Sequence, residues 1–124
     1  MTKPAIVDFF TEVSDRSPIP IAIYNFPNLL SGLDVDCDML ETLGKHENMA
    51  AVKLTCGNIS KMTRVATLFE PSEFAAVSGQ SDLLVSALAA GGAGCISGVV
   101  NLFPRVSCQD RSLSFPPSDR PASH

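Results

Sequence analysis

Short apolar runs alternate with amphipathic stretches along most of the chain, and this alternation predicts strands and helices in turn. The first amphipathic stretch, from Ile6 to about Asp15, has apolar residues spaced as on one face of a helix. Ile19–Tyr24 and Asn48–Leu54 are short and apolar, which is typical of strands buried in a parallel sheet. Further segments with these patterns predict helices over 37–45, 59–68 and 82–90 and strands over 74–78 and 94–97.

Polar residues and glycines at the ends of these segments support the predicted boundaries. Asp36, Asn58 and Ser81 each precede a helix in the N-cap position, and Gly91-Gly92 ends the last helix at the C′ position. The order is therefore a helix followed by a strand, repeated along the chain. Strands separated by helices form parallel sheets with right-handed crossovers. Both a doubly wound sheet and a (β/α) barrel fit this order.

The length and the composition favour one α/β domain followed by a tail. The chain has 124 residues, which fits a single domain, and 45% of them are hydrophobic, so that a core can form. We expect this domain over residues 1–106. From Ser107 the sequence is rich in serine and proline without periodicity, which predicts a disordered tail over residues 107–124.

Charge, hydropathy and cysteine content argue against several classes of protein. The net charge of −4, from 9 Lys and Arg against 13 Asp and Glu, does not predict a nucleic-acid partner. No stretch is apolar enough to predict a membrane span, and the N-terminus shows no apolar signal core. The 4 cysteines lack both the spacing of a zinc site and the density of a disulfide scaffold. We therefore expect a reduced, soluble protein of the cytoplasm.

Two side chains that can do chemistry lie near the ends of successive predicted strands. Lys53 lies within an apolar strand, where burial would favour the neutral amine that forms a Schiff base. The alternative is a lysine at the strand end whose head reaches solvent. Tyr24, the only tyrosine, ends the preceding strand and either relays a proton or only closes the core. Both residues lie toward the carboxyl ends of strands, where α/β proteins build their sites.

Local structure explains most of the other candidates. Gly91–Gly94 lacks the lysine of a phosphate loop and follows a helix, so that a helix stop is the simpler interpretation. Cys56 fits a small buried hydrophobic residue. His46 and His124 have no neighbouring pattern of metal ligands, and we expect both in solvent. Ser78-Gly79 ends a strand, where the glycine allows either a tight turn or the close approach of a ligand.

Several motifs occur together, in an order known from one family of enzymes. They are Tyr24–Pro27, Ser31–Asp34, Val52–Asn58, Ser78-Gly79 and Gly94–Gly98, with Asn101 and Pro104. From about Ala5 to Arg105, the chain thereby resembles the dihydrodipicolinate synthase / N-acetylneuraminate lyase family of class I pyruvate aldolases. The run from Lys53 to Asn58 is most similar to that of fungal members, which include sugar-acid aldolases.

This resemblance implies a fold and a set of site residues. The fold is the C-terminal half of a (β/α)8 TIM barrel, about four βα units, from enzymes that assemble as tetramers or dimers. Lys53 is implied to form an imine with pyruvate or another 2-keto acid, and Tyr24 to relay protons. Ser78, Gly79 and Ile96 are implied to line the substrate pocket. The resemblance implies no metal and no dissociable cofactor.

Two departures from the family pattern bear on the function. The Thr-Thr-Gly-Glu-type motif of an earlier strand is absent from this sequence, and so are the family's four N-terminal units and its C-terminal helices. Dihydrodipicolinate synthases carry an arginine shortly after Tyr-Asn-x-Pro, where this chain has Asn28–Ser31. The missing arginine argues against lysine biosynthesis and toward a neutral, polyhydroxylated aldehyde.

The length then predicts a partial chain, since a barrel needs roughly 250 residues. The expected activity is cleavage or formation of a 2-keto-3-deoxy sugar acid or 4-hydroxy-2-oxo acid, with pyruvate as the common product. We expect the chain alone to be inactive, and to be marginally stable or to associate, because four strands leave two edges and one face open.

Three alternatives remain at this point. The first is a non-catalytic fragment that associates with a full-length relative. The second is a 4-hydroxy-tetrahydrodipicolinate synthase. The third is an independent doubly wound domain that binds a small anion, which would predict a glycine turn after the first strand where the chain has Asn25–Asn28.

Overall fold

Helices and strands alternate in the structure, a computed structural model that describes residues 2–105. Within these residues the α-helices are α1 Lys3–Arg16, α2 Cys37–Leu43, α3 Ile59–Leu68 and α4 Leu84–Ala89. The strands are β1 Ile21–Asn25, β2 Met49–Leu54, β3 Ala75–Ser78 and β4 Gly94–Cys95. Short 3₁₀ helices lie over Pro27–Leu29, Ser81–Leu83 and Gly98–Asn101. The predicted order of elements is confirmed.

The strands form one parallel sheet in the order β1-β2-β3-β4, so that each strand pairs with its neighbour in sequence. Tyr24 is the register partner of Lys53, and Lys53 is the partner of Val77. Since side chains alternate between the two sides of a strand, these three residues share one face of the sheet. A doubly wound sheet reverses its strand order at a switch point, whereas this uninterrupted order is that of a barrel segment.

The opposite face of the sheet carries the hydrophobic core. Ile23, Val52 and Ala76, which alternate with the residues above, are at most 4% exposed. They belong to one buried cluster with helix residues, among them Leu40, Leu43, Met62, Val65 and Ala87. The helices therefore cover one side of the sheet, as the outer layer of a barrel covers its strands.

Two of the predicted helix caps and the helix stop are confirmed. The side chain of Asp36 accepts a hydrogen bond from Met39 N, and that of Asn58 accepts one from Lys61 N, both at 3.0 Å. Gly91 has a φ of +88°, which favours glycine and ends α4.

The third predicted cap is wrong. Ser81 begins a 3₁₀ helix, and α4 starts only at Leu84. The Ser81 hydroxyl donates instead to Ser97 Oγ at 2.7 Å. The hydroxyl of Ser81 thus bonds Ser97, which lies beyond β4, in place of the backbone of α4. The sequence around Ser81 does not predict this contact.

The face shared by Tyr24 and Lys53 has no helix over it among residues 2–105, and we call it the open face. Ala22 and Tyr24 are exposed there, and Lys53 and Val77 are half-buried. The prediction of a buried strand over Ile19–Tyr24 therefore holds on the covered side only, because the helices lie on one side of the sheet. Within residues 2–105 the prediction of an uncovered face is confirmed.

Two predictions concern the limits of this fold. The predicted tail over residues 107–124 lies outside the described residues, and the domain boundary at 106 stays a prediction. Within residues 2–105, none of the helices combines the length and the apolar character that a membrane crossing requires.

Candidate active site

Lys53 and Tyr24 lie side by side on the open face, near the carboxyl ends of β2 and β1. Nζ of Lys53 is 4.4 Å from the centroid of the Tyr24 ring. The Phe26 ring lies at a centroid distance of 5.7 Å from that of Tyr24, which is 45% exposed. The electron-rich face of an aromatic ring attracts an ammonium. The structure thus brings together the two residues that the sequence singled out for chemistry.

A buried hydroxyl without a hydrogen-bond partner follows Lys53 by two residues. Among the described residues, Thr55 Oγ1 is the buried side-chain oxygen or nitrogen atom left unpaired. Gly79 packs against this hydroxyl so closely that a Cβ at position 79 would lie 1.9 Å from Oγ1. Buried hydroxyls are normally hydrogen-bonded, so an unpaired one two residues after Lys53 is unusual. Thr55 was not among the predicted site residues, although its two-residue spacing from Lys53 was a usable signal.

Ser78, Gly79 and Ile96 come together through their main chains. Gly79 N donates to Leu54 O at 3.2 Å, and Ile96 N donates to Ser78 O at 2.8 Å. The Ser78 side chain is on the helix-covered side, where its hydroxyl is buried and donates to Gln80 O at 3.0 Å. The role of these residues in substrate binding stays a prediction. For Ser78, only its backbone atoms could take part from the open face, because its side chain lies on the covered side.

A polar network on the covered side fixes the end of β1. The Asn25 side chain is fully buried; its Nδ2 donates to Asp34 Oδ1 at 2.7 Å, and its Oδ1 accepts from Val35 N at 3.0 Å. Lys61 of α3 is 4% exposed, and its Nζ donates to Asp34 Oδ1 at 2.6 Å and to Val35 O at 2.7 Å. We call Asn25, Asp34 and Lys61 the loop anchor. The loop anchor was not predicted, because no local pattern in the sequence pairs Asp34 with Lys61.

The loop anchor keeps the Asp34 carboxylate ionised. Partial burial raises the pKa of Asp34, but hydrogen bonds from Lys61 and Asn25 and the positive charge of Lys61 outweigh it and lower the pKa below its usual value. Because Asp34 is charged, the buried ammonium of Lys61 has the partner that burial of a charge requires.

The loop between β1 and α2 presents apolar side chains to solvent. Leu29 and Leu30 are 69% and 49% exposed, and no cationic residue occurs from Asn28 to Ser31. This segment therefore contains no cation that would pair with a second carboxylate of a substrate.

His46 and Cys56 lie outside this arrangement. The expectation that His46 is solvated is wrong: its ring accepts from Asn48 N at 3.1 Å and pairs with Asp15 at 3.0 Å, at the opposite end of the sheet. Cys56 is partly buried and packs against the core. Within the described part of the chain, no cluster of three or more His, Cys, Asp or Glu residues could hold a metal ion.

Comparisons with known proteins identify relatives over nearly the whole described segment. The model of the dihydrodipicolinate synthetase family matches residues 1–110. A mitochondrial protein of Coccidioides immitis, named as a 4-hydroxy-2-oxoglutarate aldolase, is 46% identical over 105 residues, which cover 84% of this chain and 33% of the relative. An L-threo-3-deoxy-hexylosonate aldolase of Hypocrea jecorina is 38% identical over 111 residues, which cover 84% of this chain and 35% of the relative.

Solved structures show the same segment inside longer chains. The crystal structure of a dihydrodipicolinate synthase family protein from Coccidioides immitis superimposes with a TM-score of 0.81 at 43% identity, over 91% of this chain and 36% of that one. Dihydrodipicolinate synthase from Aquifex aeolicus gives a TM-score of 0.83 at 26% identity, over 92% of this chain and 39% of that one. The chain thus spans about a third of the length of the curated relatives it matches. The resemblance drawn from the motifs is confirmed, and the chain belongs to the dihydrodipicolinate synthetase family.

Proposed function

We propose that this chain supplies the imine-forming part of a class I pyruvate aldolase site. The observation that carries the proposal is the contact between Lys53 and Tyr24 on the open face, with Nζ 4.4 Å from the ring centroid. A lysine amine and a phenol at this distance provide the nucleophile and the proton relay that the reaction needs.

In the proposed reaction Lys53 loses a proton to solvent, and its neutral amine adds to the keto carbon of a 2-keto acid. The Tyr24 phenol gives its proton to the departing hydroxyl group, so that water leaves and an iminium ion forms. The Tyr24 phenolate then takes the proton of the C4 hydroxyl group, directly or through the substrate carboxylate. The C3–C4 bond breaks, an aldehyde departs, and the electron pair moves into the iminium to form an enamine. Protonation of C3 and hydrolysis of the imine release pyruvate and restore Lys53. The step needs no external oxidant or reductant.

We assign the substrate to the 2-keto-3-deoxy sugar acids or 4-hydroxy-2-oxo acids, which both give pyruvate. The names of the fungal relatives support this range. Within it, the exposed leucines of Leu29-Leu30 and the absence of a cation from Asn28 to Ser31 favour a neutral aldehyde product. The same observation disfavours a 4-hydroxy-tetrahydrodipicolinate synthase, although relatives with that name are 30–35% identical.

Residues 2–105 leave the open face uncovered, so we propose that the chain alone is inactive and that activity requires the strands that close the barrel. We also propose that the closed form assembles as a homo-oligomer. For the compartment, the sequence favours the cytoplasm, whereas relatives from Coccidioides immitis and Emericella nidulans are named mitochondrial. Subcellular fractionation decides between the two.

Trapping of the imine with borohydride in the presence of pyruvate tests the proposal. The two proteins compared are the 124-residue chain and a chimera in which the N-terminal part of the Coccidioides immitis relative precedes it. We expect mass spectrometry to find a reduced pyruvate adduct on Lys53 in the chimera and none in the chain alone.

Two variants control the trapping experiment. Lys53→Arg should abolish the adduct, and Lys45→Arg, at an exposed lysine paired with Glu41, should leave it unchanged. A folded chimera without an adduct would contradict the aldolase assignment. An adduct on the chain alone would contradict its inactivity.

A further inference from the structure

Lys61 joins the two βα units that carry the site. Tyr24 belongs to β1, and the loop that follows β1 contains Asp34 and Val35. Lys53 belongs to β2, and the helix that follows β2 contains Lys61. The Lys61 ammonium bonds Asp34 Oδ1 and Val35 O, so it ties the helix of the second unit to the loop of the first.

The loop anchor acts on the residue next to Tyr24. Asn25 follows Tyr24 directly, and its side chain bonds Asp34 and Val35 N. Its main-chain oxygen accepts from Thr55 N at 3.0 Å, on the strand of Lys53. With both its side chain and its main chain held, Asn25 leaves the adjoining peptide of Tyr24 little freedom to rotate.

Stability alone is a weak explanation for this arrangement. Burying an ammonium requires desolvation that a single ion pair often only balances, and apolar replacements of buried pairs are frequently neutral. Lys61 is 4% exposed, whereas the Asp34 side chain is 46% exposed, so most of the desolvation falls on the lysine. Buried ionic groups of this kind are retained in some proteins because they select one conformation among several.

We infer that Lys61 is a positioning residue that, through Asp34 and Asn25, holds the Tyr24 ring over the Lys53 ammonium. The inference rests on the proposed function for its catalytic meaning, but the geometry it describes is measurable without any substrate. Lys61 itself lies on the covered side of the sheet and touches no reacting atom.

The single tyrosine makes the geometry observable by NMR in this 13.1 kDa chain. With Nζ 4.4 Å from the ring centroid, we expect the ring current of Tyr24 to displace the ε-methylene protons of Lys53 upfield. Lys53→Arg assigns this signal, and Tyr24→Leu abolishes the displacement. We expect Lys61→Met to move the signal toward that of an unstructured lysine, and Lys61→Arg to retain the displacement.

The matched control is Lys45→Met, the same change at an exposed lysine outside the loop anchor, which should leave the signal unchanged. A folded Lys61→Met chain with the wild-type displacement would overturn the inference, whatever its loss of thermal stability. If Lys61→Met does not fold, Asp34→Asn decides, because it keeps the shape of the side chain and removes its charge. A reduced displacement in Asp34→Asn supports the inference, and an unchanged one overturns it.

Borohydride trapping in the chimera tests the aldolase assignment separately. Suppose that Lys61→Met loses the NMR displacement while the parent chimera forms no pyruvate adduct. The positioning role of Lys61 would then stand, and the role of Tyr24 in imine chemistry would be contradicted.

Discussion

The Lys53 ammonium lies over the ring of Tyr24, and the two residues are register partners on adjacent parallel strands. The backbone ladder between β1 and β2 therefore places the two residues side by side, and neither this ladder nor the loop anchor involves the tyrosine hydroxyl. Removing the hydroxyl should leave the ring and the ammonium where they are, so the roles of the two groups can be separated.

Tyr24→Phe in the chimera should retain the pyruvate adduct on Lys53 and slow cleavage. Loss of a positioned proton relay typically reduces a rate by roughly 10²–10⁴-fold. Single-turnover measurements of aldehyde release, alongside borohydride trapping, separate the two steps. Phe26→Leu, which removes a neighbouring ring without touching the hydroxyl, is the control. Unchanged cleavage by Tyr24→Phe would show that another group relays the proton.

Substrate preference should follow the charge of the loop after β1. With Leu30 exposed and no cation from Asn28 to Ser31, we expect the chimera to have a higher kcat/KM for a 2-keto-3-deoxy sugar acid than for 4-hydroxy-2-oxoglutarate. Leu30→Arg should shift this ratio toward the dicarboxylate, and Leu68→Arg, at an exposed leucine of α3, should not. Equal ratios in the Leu30→Arg variant and the parent would contradict a role of this loop.

Gly79→Ala should destabilise the chain. The added Cβ would lie 1.9 Å from Thr55 Oγ1 and 2.8 Å from the Thr55 main chain, so the strands must shift apart. Overpacking of this kind costs about 1–3 kcal/mol of unfolding free energy. Gly98→Ala is the matched control, since a Cβ there meets nothing within 4 Å, and should change stability by less than about 0.5 kcal/mol. Urea denaturation of both variants checks the difference.

Stability should fall in acid because of Asp34 and Asp36. Hydrogen bonds from Lys3 and Met39 N lower the pKa of Asp36, and the loop anchor lowers that of Asp34, both below the usual 3.8. The unfolded chain then binds protons more readily than the folded one. The stabilisation is therefore complete above about pH 3.8 and is lost as the pH falls through the folded pKa values.

Urea unfolding at a series of pH values below neutrality measures how the free energy of unfolding changes with pH. Asp36→Asn should flatten the acid limb of the stability curve, and Asp82→Asn, at an exposed aspartate outside the loop anchor, should not. An acid limb that is the same in Asp36→Asn and the parent would contradict the assignment.

The open face should make the 124-residue chain associate as its concentration rises. β1 and β4 each pair on one side only in the described sheet, and unpaired edges bind other strands. Sedimentation velocity over a concentration series measures the effect. Ala51→Lys adds a charge to the open face and should reduce association, whereas Thr63→Lys on an exposed part of α3 should not. A monomer at every concentration would contradict the expectation.

The sequence predicted the elements and the pair of Tyr24 and Lys53 because both depend on local signals. Apolar periodicity gives the strands, and neighbouring strands of a parallel sheet bring their carboxyl ends together. The side of Ser78 was not predictable in this way. A shift of one residue moves a side chain to the opposite face, and Ser78 ends a short strand whose register is fixed by its pairing with β2 and β4.

Contacts between distant residues were also beyond the sequence. Lys61 and Asp34 are 27 positions apart, and neither residue differs in type from a solvated surface charge. The same holds for Ser81 and Ser97, which meet only once β4 lies beside β3. Thr55 is different, because its spacing from Lys53 was visible and only the lack of a partner for its hydroxyl was not.

The order β1-β2-β3-β4 has a consequence for how the chain folds. Each strand finds its partner across one intervening helix, so every pairing closes a loop of modest length. Each unit can dock on the previous one as the ribosome releases it. The sheet that carries Tyr24 and Lys53 can therefore form during synthesis, strand by strand.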